Sequence, residues 1–351
     1  MSVIIFIIVL AILILSHEFG HFITAKKAGI RVDEFAIGFP PRLFSWKKGE
    51  TTYAVNLLPL GGYVKIHGED DATNPNDPRS FASKSALTRT MVLASGVLFN
   101  LVLAWVLISL GYIIGLPTST SAVPAGANIS NVRIIVIEVA KDSPAEMVGI
   151  KAGDEIIGFS RIQDFQNFIS VNKNKEVSIN LNHNGEGISV KLVPRKNPPQ
   201  GQGAIGIAMD EAGTLKLPWY KALPYAAKFT YQLTIAIAVA TYSFIVDAFR
   251  GLAGFDQVMG PVGIAGATGA AAKMGFSYLL GFISMLSINL AIINILPFPA
   301  LDGGRILFLL IEKIKGSPVS ERFSSIAHAV GLALLLVLML AITYRDILRL
   351  I

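Results

Sequence analysis

The chain has 351 residues, of which 52% are hydrophobic and only 15% charged, and its mean hydropathy is +0.57. These values argue against an ordinary water-soluble globule and for several membrane helices of roughly 20 residues each. The formal charge of +6 points only weakly to nucleic acid and fits Lys- and Arg-rich loops at an anionic membrane face, and the absence of cysteine excludes disulfides and thiolate metal sites.

The first apolar run extends from about Val3 to Ala25 and reads VIIFIIVLAILIL before His17-Glu18-Phe19-Gly20-His21. Positions i and i+4 share one helix face, so His17 and His21 can turn toward a single metal ion. Glu18 lies beside them, placed to take a proton from a water in the manner of a zinc hydrolase. Ionisable groups at that depth in a membrane helix are functional by default. The segment lacks the basic start and small-residue cleavage site of a secretory signal, so it is expected to be a retained helix.

Between Lys26 and Arg89 the chain is polar and carries ten basic residues. Phe35–Trp46 and Thr52–Ile66 alternate in strand fashion around Lys47-Lys48-Gly49-Glu50 and are expected to form a hairpin. Within it, the apolar Leu58-Pro59-Leu60-Gly61-Gly62-Tyr63 suits backbone that dips into the membrane under the cover of protein. A second span follows at about Met91–Leu116.

Residues 117–211 differ in character. Val132–Val139, Val177–Leu181 and Ile188–Val193 read as strands, with Asn184-Gly185 as a turn between the last two. Ser143, Pro144 and Glu146 form a capping-box helix start, and Gly149 supplies the stop. Pro224–Ile245 is apolar apart from Lys228, while Phe276–Pro297 and Ala327–Thr343 are the remaining span candidates.

The basic loop before the second span is expected to be cytoplasmic, which puts HEFGH near the inner face and the 117–211 domain outside. If Pro224–Ile245 lies along the outer surface, the span from Phe276 ends inside, level with HEFGH; if it crosses, that span ends a membrane's width away. The first reading also leaves Arg305, Lys313, Lys315 and Arg322 inside, and gives four spans. A catalytic zinc site wants three protein ligands. Asp302, within Asn294-Ile295-Leu296-Pro297-Phe298-Pro299-Ala300-Leu301-Asp302-Gly303-Gly304, is the third candidate beside His17 and His21. Its competing role is an N-cap for the helix that follows.

HExxH in the first span with NxxPxPxLDG in a later one resembles the site-2 protease family of intramembrane zinc proteases. The likeness extends to Pro59-Leu60-Gly61-Gly62-Tyr63-Val64-Lys65, Gly260-Pro261-Val262-Gly263-Ile264, and Glu312-Lys313-Ile314-Lys315-Gly316 with Pro318-Val319-Ser320-Glu321-Arg322. It is nearest to the RseP-type branch, the regulator-of-sigma-E proteases. The resemblance implies Zn2+ bound by His17, His21 and Asp302, Glu18 as catalytic base, and Asn294 assisting at the substrate carbonyl. It also implies an enzyme of the bacterial inner membrane. Its substrates would be single-pass membrane proteins already trimmed outside, such as anti-sigma factors and remnant signal peptides, cut in regulated intramembrane proteolysis. Ser143–Ile156 resembles the helix-and-turn signature of a PDZ domain, expected to be periplasmic and to act as a size filter or as a binder of C-termini.

The expected fold is therefore a membrane α-helical protein of about four transmembrane helices with a membrane-associated β-hairpin and an inserted small α/β PDZ domain. Its parts are residues 1–116, 117–211, 212–275 and 276–351. The expected partners are the lipid bilayer and transmembrane substrates, captured as an extended strand near residues 35–66, with no nucleic acid. The chain departs from the family pattern in having room for one PDZ domain where two are common. It also has Gly96-Val97-Leu98-Phe99-Asn100 where members often read GPxxN, and Phe39-Pro40-Pro41 where they read FGP. Asn100 is expected to bond another helix, with a secondary role near the active site open. His67 with Glu69, Asp70 and Asp71 reads as a solvated acidic loop, His183 and His328 as structural or solvated, and Gly260–Gly269 as a bend and close-packing segment. A metal transporter would need more polar residues in the later spans, and a silent membrane PDZ scaffold would not require Glu18 beside a full ligand set.

Overall fold

The computed structural model describes residues 2–69, 77–123, 127–183, 185–199, 201–252, 258–317 and 319–349. Asp70, Asp71, Asn184 and Pro318 lie outside the described residues. The chain forms two compact units, residues 1–110 with 223–351, and residues 111–222.

The first unit opens with α1 (Ser2–Lys27), β1 (Val32–Lys48), β2 (Thr51–Ile66) and α2 (Ala86–Ile114). α1 and α2 are almost wholly apolar, and lipid is as apolar as their side chains, so packing and close approach hold them together. They meet at glycine: a Cβ on Gly20 would stand 2.5 Å from the Ser95 carbonyl oxygen.

β1 and β2 make a sheet wider than a plain hairpin. Past the turn at Gly49 (φ 63°), Lys48 pairs with Thr51 and Arg42 with Asn56. β1 bends around Gly38 (φ 84°), where a Cβ would meet the Leu58 carbonyl oxygen at 2.8 Å. Its first half consequently lies between two stretches of β2, with Phe35 against Tyr53 and also against Val64. The stretch from Arg42 to Lys48 is outermost and exposed throughout. At the base of the sheet, Glu50 takes Lys26 Nζ at 2.7 Å and also pairs with Arg79, tying the turn to the end of α1.

The second unit holds β3 (Leu116–Ser119), β4 (Ile129–Val139), α3 (Pro144–Met147), β5 (Glu155–Ile157), α4 (Ile162–Val171), β6 (Val177–His183), β7 (Glu186–Leu192) and β8 (Ile207–Leu215). Its strands form one sheet in the order β3-β8-β4-β5-β6-β7. Ile134, Val136, Phe165, Ile179 and Leu181 are buried in its core, each worth about 1.5–3 kcal/mol relative to exposure. α3 begins as its sequence suggests: the Ser143 hydroxyl accepts the Glu146 amide, and Glu146 accepts the Asp142 amide at 2.6 Å.

The first unit resumes with α5 (Trp219–Phe249), α6 (Pro261–Met274), α7 (Phe276–Ile295), α8 (Asp302–Lys315) and α9 (Glu321–Leu348). Five helices, α1, α2, α5, α7 and α9, are long and apolar enough to cross a membrane among the described residues. α7 packs Ile283 against Val9 and Leu13 of α1, and Ile288 and Ile292 against Ala104 of α2 and Leu233 and Ile237 of α5. The Gly260–Gly269 stretch, expected as a bend, is helical from Pro261 onward. Proline at the first helical position is already set for the turn, and the Asp346 carboxylate of α9 accepts the Gly263 amide at 2.8 Å.

Candidate metal centre

α1 turns His17 and His21 to one side, where both rings are buried. Asp302 reaches them from the start of α8. α7 ends at Ile295, before Pro297 and Pro299, and the chain folds back tightly enough that a Cβ on Gly303 would lie 2.2 Å from the Ile295 carbonyl oxygen. Ala300 adopts φ 78°, and its amide donates to His328 Nδ1 on α9 at 2.9 Å. His328 is thus a structural brace for this turn. Leu301, not Asp302, occupies the N-cap position of α8, and no side-chain capping bond is made there. The Asp302 carboxylate is left to face the histidines.

Three atoms converge. His17 Nε2 and His21 Nε2 are 3.2 Å apart, and Asp302 Oδ2 lies 3.1 Å from the first and 3.3 Å from the second. Ligands at 2.0–2.1 Å around a tetrahedral zinc stand about 3.3–3.4 Å from one another, so the triangle has the size of one face of such a site. Asp302 Oδ2 is buried without a hydrogen bond of good geometry, the state expected of an atom that serves a metal. Two imidazoles and a carboxylate are also a donor set that zinc accepts. The residues fit the ion.

α2 closes the site from behind. His21 Nδ1 lies 2.9 Å from the Val92 carbonyl oxygen, which leaves Nε2 free to face Asp302. Gly96 packs directly on both rings: a Cβ there would be 2.4 Å from His21 Nε2 and 2.8 Å from His17 Nε2. Asn100 is fully buried beside His17 Nδ1. On the other flank β2 passes close to the half-buried Glu18, since a Cβ on Gly62 would stand 3.4 Å from Glu18 Cγ. Asn294 is in the last turn of α7, half-buried, and makes no side-chain hydrogen bond among the described residues. α8 is fixed by two ion pairs, Arg305 with Glu69, and Arg89 of α2 with Glu312 at 3.2 Å.

Of the sequence-derived candidates, His17, His21 and Asp302 are brought together, with Glu18 adjacent in α1. His67 takes part in a different network, its Nε2 3.1 Å from Asp77 and its Nδ1 3.7 Å from Asp33. Sequence reasoning did not find the part played by Gly96, which lies four residues before Asn100 on the same face of α2. A glycine and an amide at that spacing in an apolar span were the available signal.

An HExxH helix completed by a distant carboxylate on a membrane-type scaffold is matched by one family profile, that of peptidase family M50, over residues 5–338. The chain belongs to peptidase family M50. A protein named as a zinc metalloprotease in Clostridium acetobutylicum is 33% identical over 99% of this chain and 97% of its own length. The zinc metalloprotease RasP of Geobacillus kaustophilus is 31% identical over 99% of this chain and 97% of its own length. A further protein named as a zinc metalloprotease, from a Nostoc species, is 33% identical over 96% of this chain and 93% of its own length. This M50 member is a membrane zinc metalloprotease, and the site-2 protease resemblance read from HEFGH and the Asp302 motif is borne out.

Proposed function

We propose that the chain hydrolyses peptide bonds within or near transmembrane segments of single-pass membrane proteins that have already lost their outer domains. The observation that carries this reading is the three-atom cluster of His17, His21 and Asp302 beside Glu18, with the histidines on α1, a helix long and apolar enough to cross a membrane, and Asp302 at the start of α8, just past α7. Zinc bound at those atoms supplies Lewis acidity to the hydrolysis. The Glu18 carboxylate takes a proton from the attacking water and hands it to the leaving nitrogen. Asn294, with its amide uncommitted, donates to the substrate carbonyl as negative charge develops.

A helical substrate hides its carbonyls and must unwind before it can be cut. The exposed Arg42–Lys48 stretch offers a free strand edge for the unwound segment, in the same sheet whose Gly62 lies against Glu18. This supports strand addition as the capture step. Regulated proteolysis of anti-sigma factors and removal of remnant signal peptides are the physiological settings we assign, in a bacterial inner membrane.

Four crossings are favoured from the Lys and Arg distribution, with α5 entering from the outer side without crossing; its Leu233 and Ile237 pack beside Ile288 and Ile292 of α7. The start of α6 is held by α9 near its C-terminus, at Asp346, while Gly269 of α6 packs on Ser2 at the start of α1. These contacts support a common outer side for the first residues of α1, the last turns of α9 and α6. The 111–222 unit, with its SPAEMVGIKAGDEI helix and turn, is read as an extracytoplasmic PDZ domain.

The deciding experiment compares wild type with Glu18→Gln, His17→Ala, His21→Ala and Asp302→Ala for zinc content and for cleavage of a model transmembrane substrate. Glu18→Gln is expected to keep zinc and lose cleavage, and the three ligand variants to lose both. Normal cleavage by Glu18→Gln would end the proposal.

A further inference from the structure

Asn100 is buried to 0% exposure in α2, and its amide nitrogen lies 3.3 Å from His17 Nδ1. Its Oδ1 is buried without a hydrogen-bond partner, a costly state for a carbonyl in a membrane span. The nitrogen and oxygen of a carboxamide have nearly the same shape, so chemistry decides which of them faces the ring. A nitrogen donating to Nδ1 would place the ring proton on Nε2. That atom is 3.2 Å from His21 Nε2 and 3.1 Å from Asp302 Oδ2, and once protonated it has no lone pair left for a metal. Half a turn of the amide removes the conflict: Oδ1 accepts the Nδ1 proton, and the Nε2 lone pair points at the triangle.

We infer that Asn100 is a positioning residue that holds His17 in its metal-binding tautomer by accepting the Nδ1 proton at Oδ1. The inference rests on the assignment of His17 as a zinc ligand. His21 has the parallel arrangement, with Nδ1 against the Val92 carbonyl oxygen at 2.9 Å, so one helix braces both rings from behind. The brace is itself anchored: Ser287 of α7 donates to the backbone carbonyl oxygen of Asn100 at 2.7 Å. An amide that merely bonded a neighbouring helix would have no reason to meet the one ring atom that sets the tautomer.

The test is zinc affinity of the full chain by chelator competition, for wild type, Asn100→Leu, Asn100→Asp and His17→Ala. Leu has the same number of side-chain heavy atoms as Asn, in a bulkier branch with no acceptor, and is expected to weaken zinc binding about 10–100-fold. Asp can only accept, and is expected to recover most of that loss. Undiminished affinity in the Leu variant, or equal weakening in both, overturns the inference. His17→Ala separates it from the ligand assignment: retained zinc there would remove the assignment itself, whereas lost zinc beside an unaffected Asn100→Leu would remove only the role of Asn100. If Asn100→Leu does not fold, imidazole nitrogen NMR shifts of isotope-labelled histidine in the native zinc-free chain give the answer. The Nδ1–H tautomer at His17 is expected, and the Nε2–H tautomer overturns the proposal.

Discussion

Gly96 stands where α2 meets the imidazole rings of His17 and His21, and its missing side chain is what lets the helix come that close. With a Cβ 2.4 Å from His21 Nε2 and 2.6 Å from His17 Cε1, Gly96→Ala must push the rings or the helix aside. Overpacking of that kind costs about 1–3 kcal/mol. The variant is therefore expected to lower both thermal stability and zinc occupancy. Gly266→Ala in α6, with nothing within 4 Å, serves as the control and is expected to leave zinc occupancy unchanged and to raise stability by about 0.5–1 kcal/mol through helix propensity. Asn294→Ala tests a different kind of residue: turnover should fall roughly a hundredfold or more if it donates to the oxyanion. Zinc content should stay level, and zinc loss would make Asn294 a support of the metal site instead. The clustering of the three residues was legible in the sequence because helical spacing pairs His17 with His21 and because an acidic residue at the end of an apolar span needs a reason. Gly96 was not, since its role is to leave space for residues on another helix, and no local pattern records that.

The start of α6 shows how an element can be specified from far away. A glycine-rich run has poor helix propensity and reads as a bend, yet Asp346, 83 residues away in sequence, supplies the missing N-terminal cap. Gly260 and Gly263 admit the carboxylate, because a Cβ on either would lie 2.8 or 3.1 Å from Asp346 Oδ2. Asp346→Ala should cost about 0.5–2 kcal/mol and speed hydrogen exchange of the first α6 amides, while Asp346→Asn should retain much of the cap. Uniform exchange across α6 in both variants would deny the cap its role. The long helices, by contrast, were readable from apolar runs alone, and the hairpin from its alternation. The doubled pairing of β1 was not, because the bend at Gly38 depends on contacts with β2 that alternation does not encode. The same sheet carries a pH signature. Hydrogen bonds from Lys26 and Arg79 pull the Glu50 carboxyl from 4.5 down to about 2. A depressed carboxyl stabilises the folded form above its unfolded value, and that contribution fades as pH falls from 4.5 toward 2. Glu50→Gln should flatten this part of the acid-unfolding profile of the base of the hairpin, and an unchanged profile would assign the acid sensitivity elsewhere.

At the scale of the whole chain, the site exists only if α1 and α8 meet at one membrane face, and the absence of cysteine makes that testable by single-cysteine labelling. Cysteines at Lys47 and Gly316 should react with an impermeant reagent only after the inner side is opened, and one at Gly187 from outside. The Arg89–Glu312 pair already links the start of α2 to α8, so opposite labelling of Lys47 and Gly316 would contradict the arrangement of the metal centre itself. The inserted unit raises a separate question, whether it filters substrates by bulk or captures their freed C-termini. β3 and β8 offer a clean place to cut, because Leu116 pairs with Leu215 and Ser119 with Ala212. Removing residues 122–210 joins these strands through Thr120, Ser121 and Glu211, a loop length that antiparallel hairpins accept. The remaining helices keep their covalent spacing, and none of His17, Glu18, His21, Asn294 or Asp302 is touched. If the unit is a filter, the deletion should leave cleavage of a pre-trimmed substrate largely intact and newly permit cleavage of an untrimmed one. If cleavage of the trimmed substrate disappears while the protein stays folded and zinc-loaded, the filter idea fails, and the unit instead delivers substrate by binding its C-terminus.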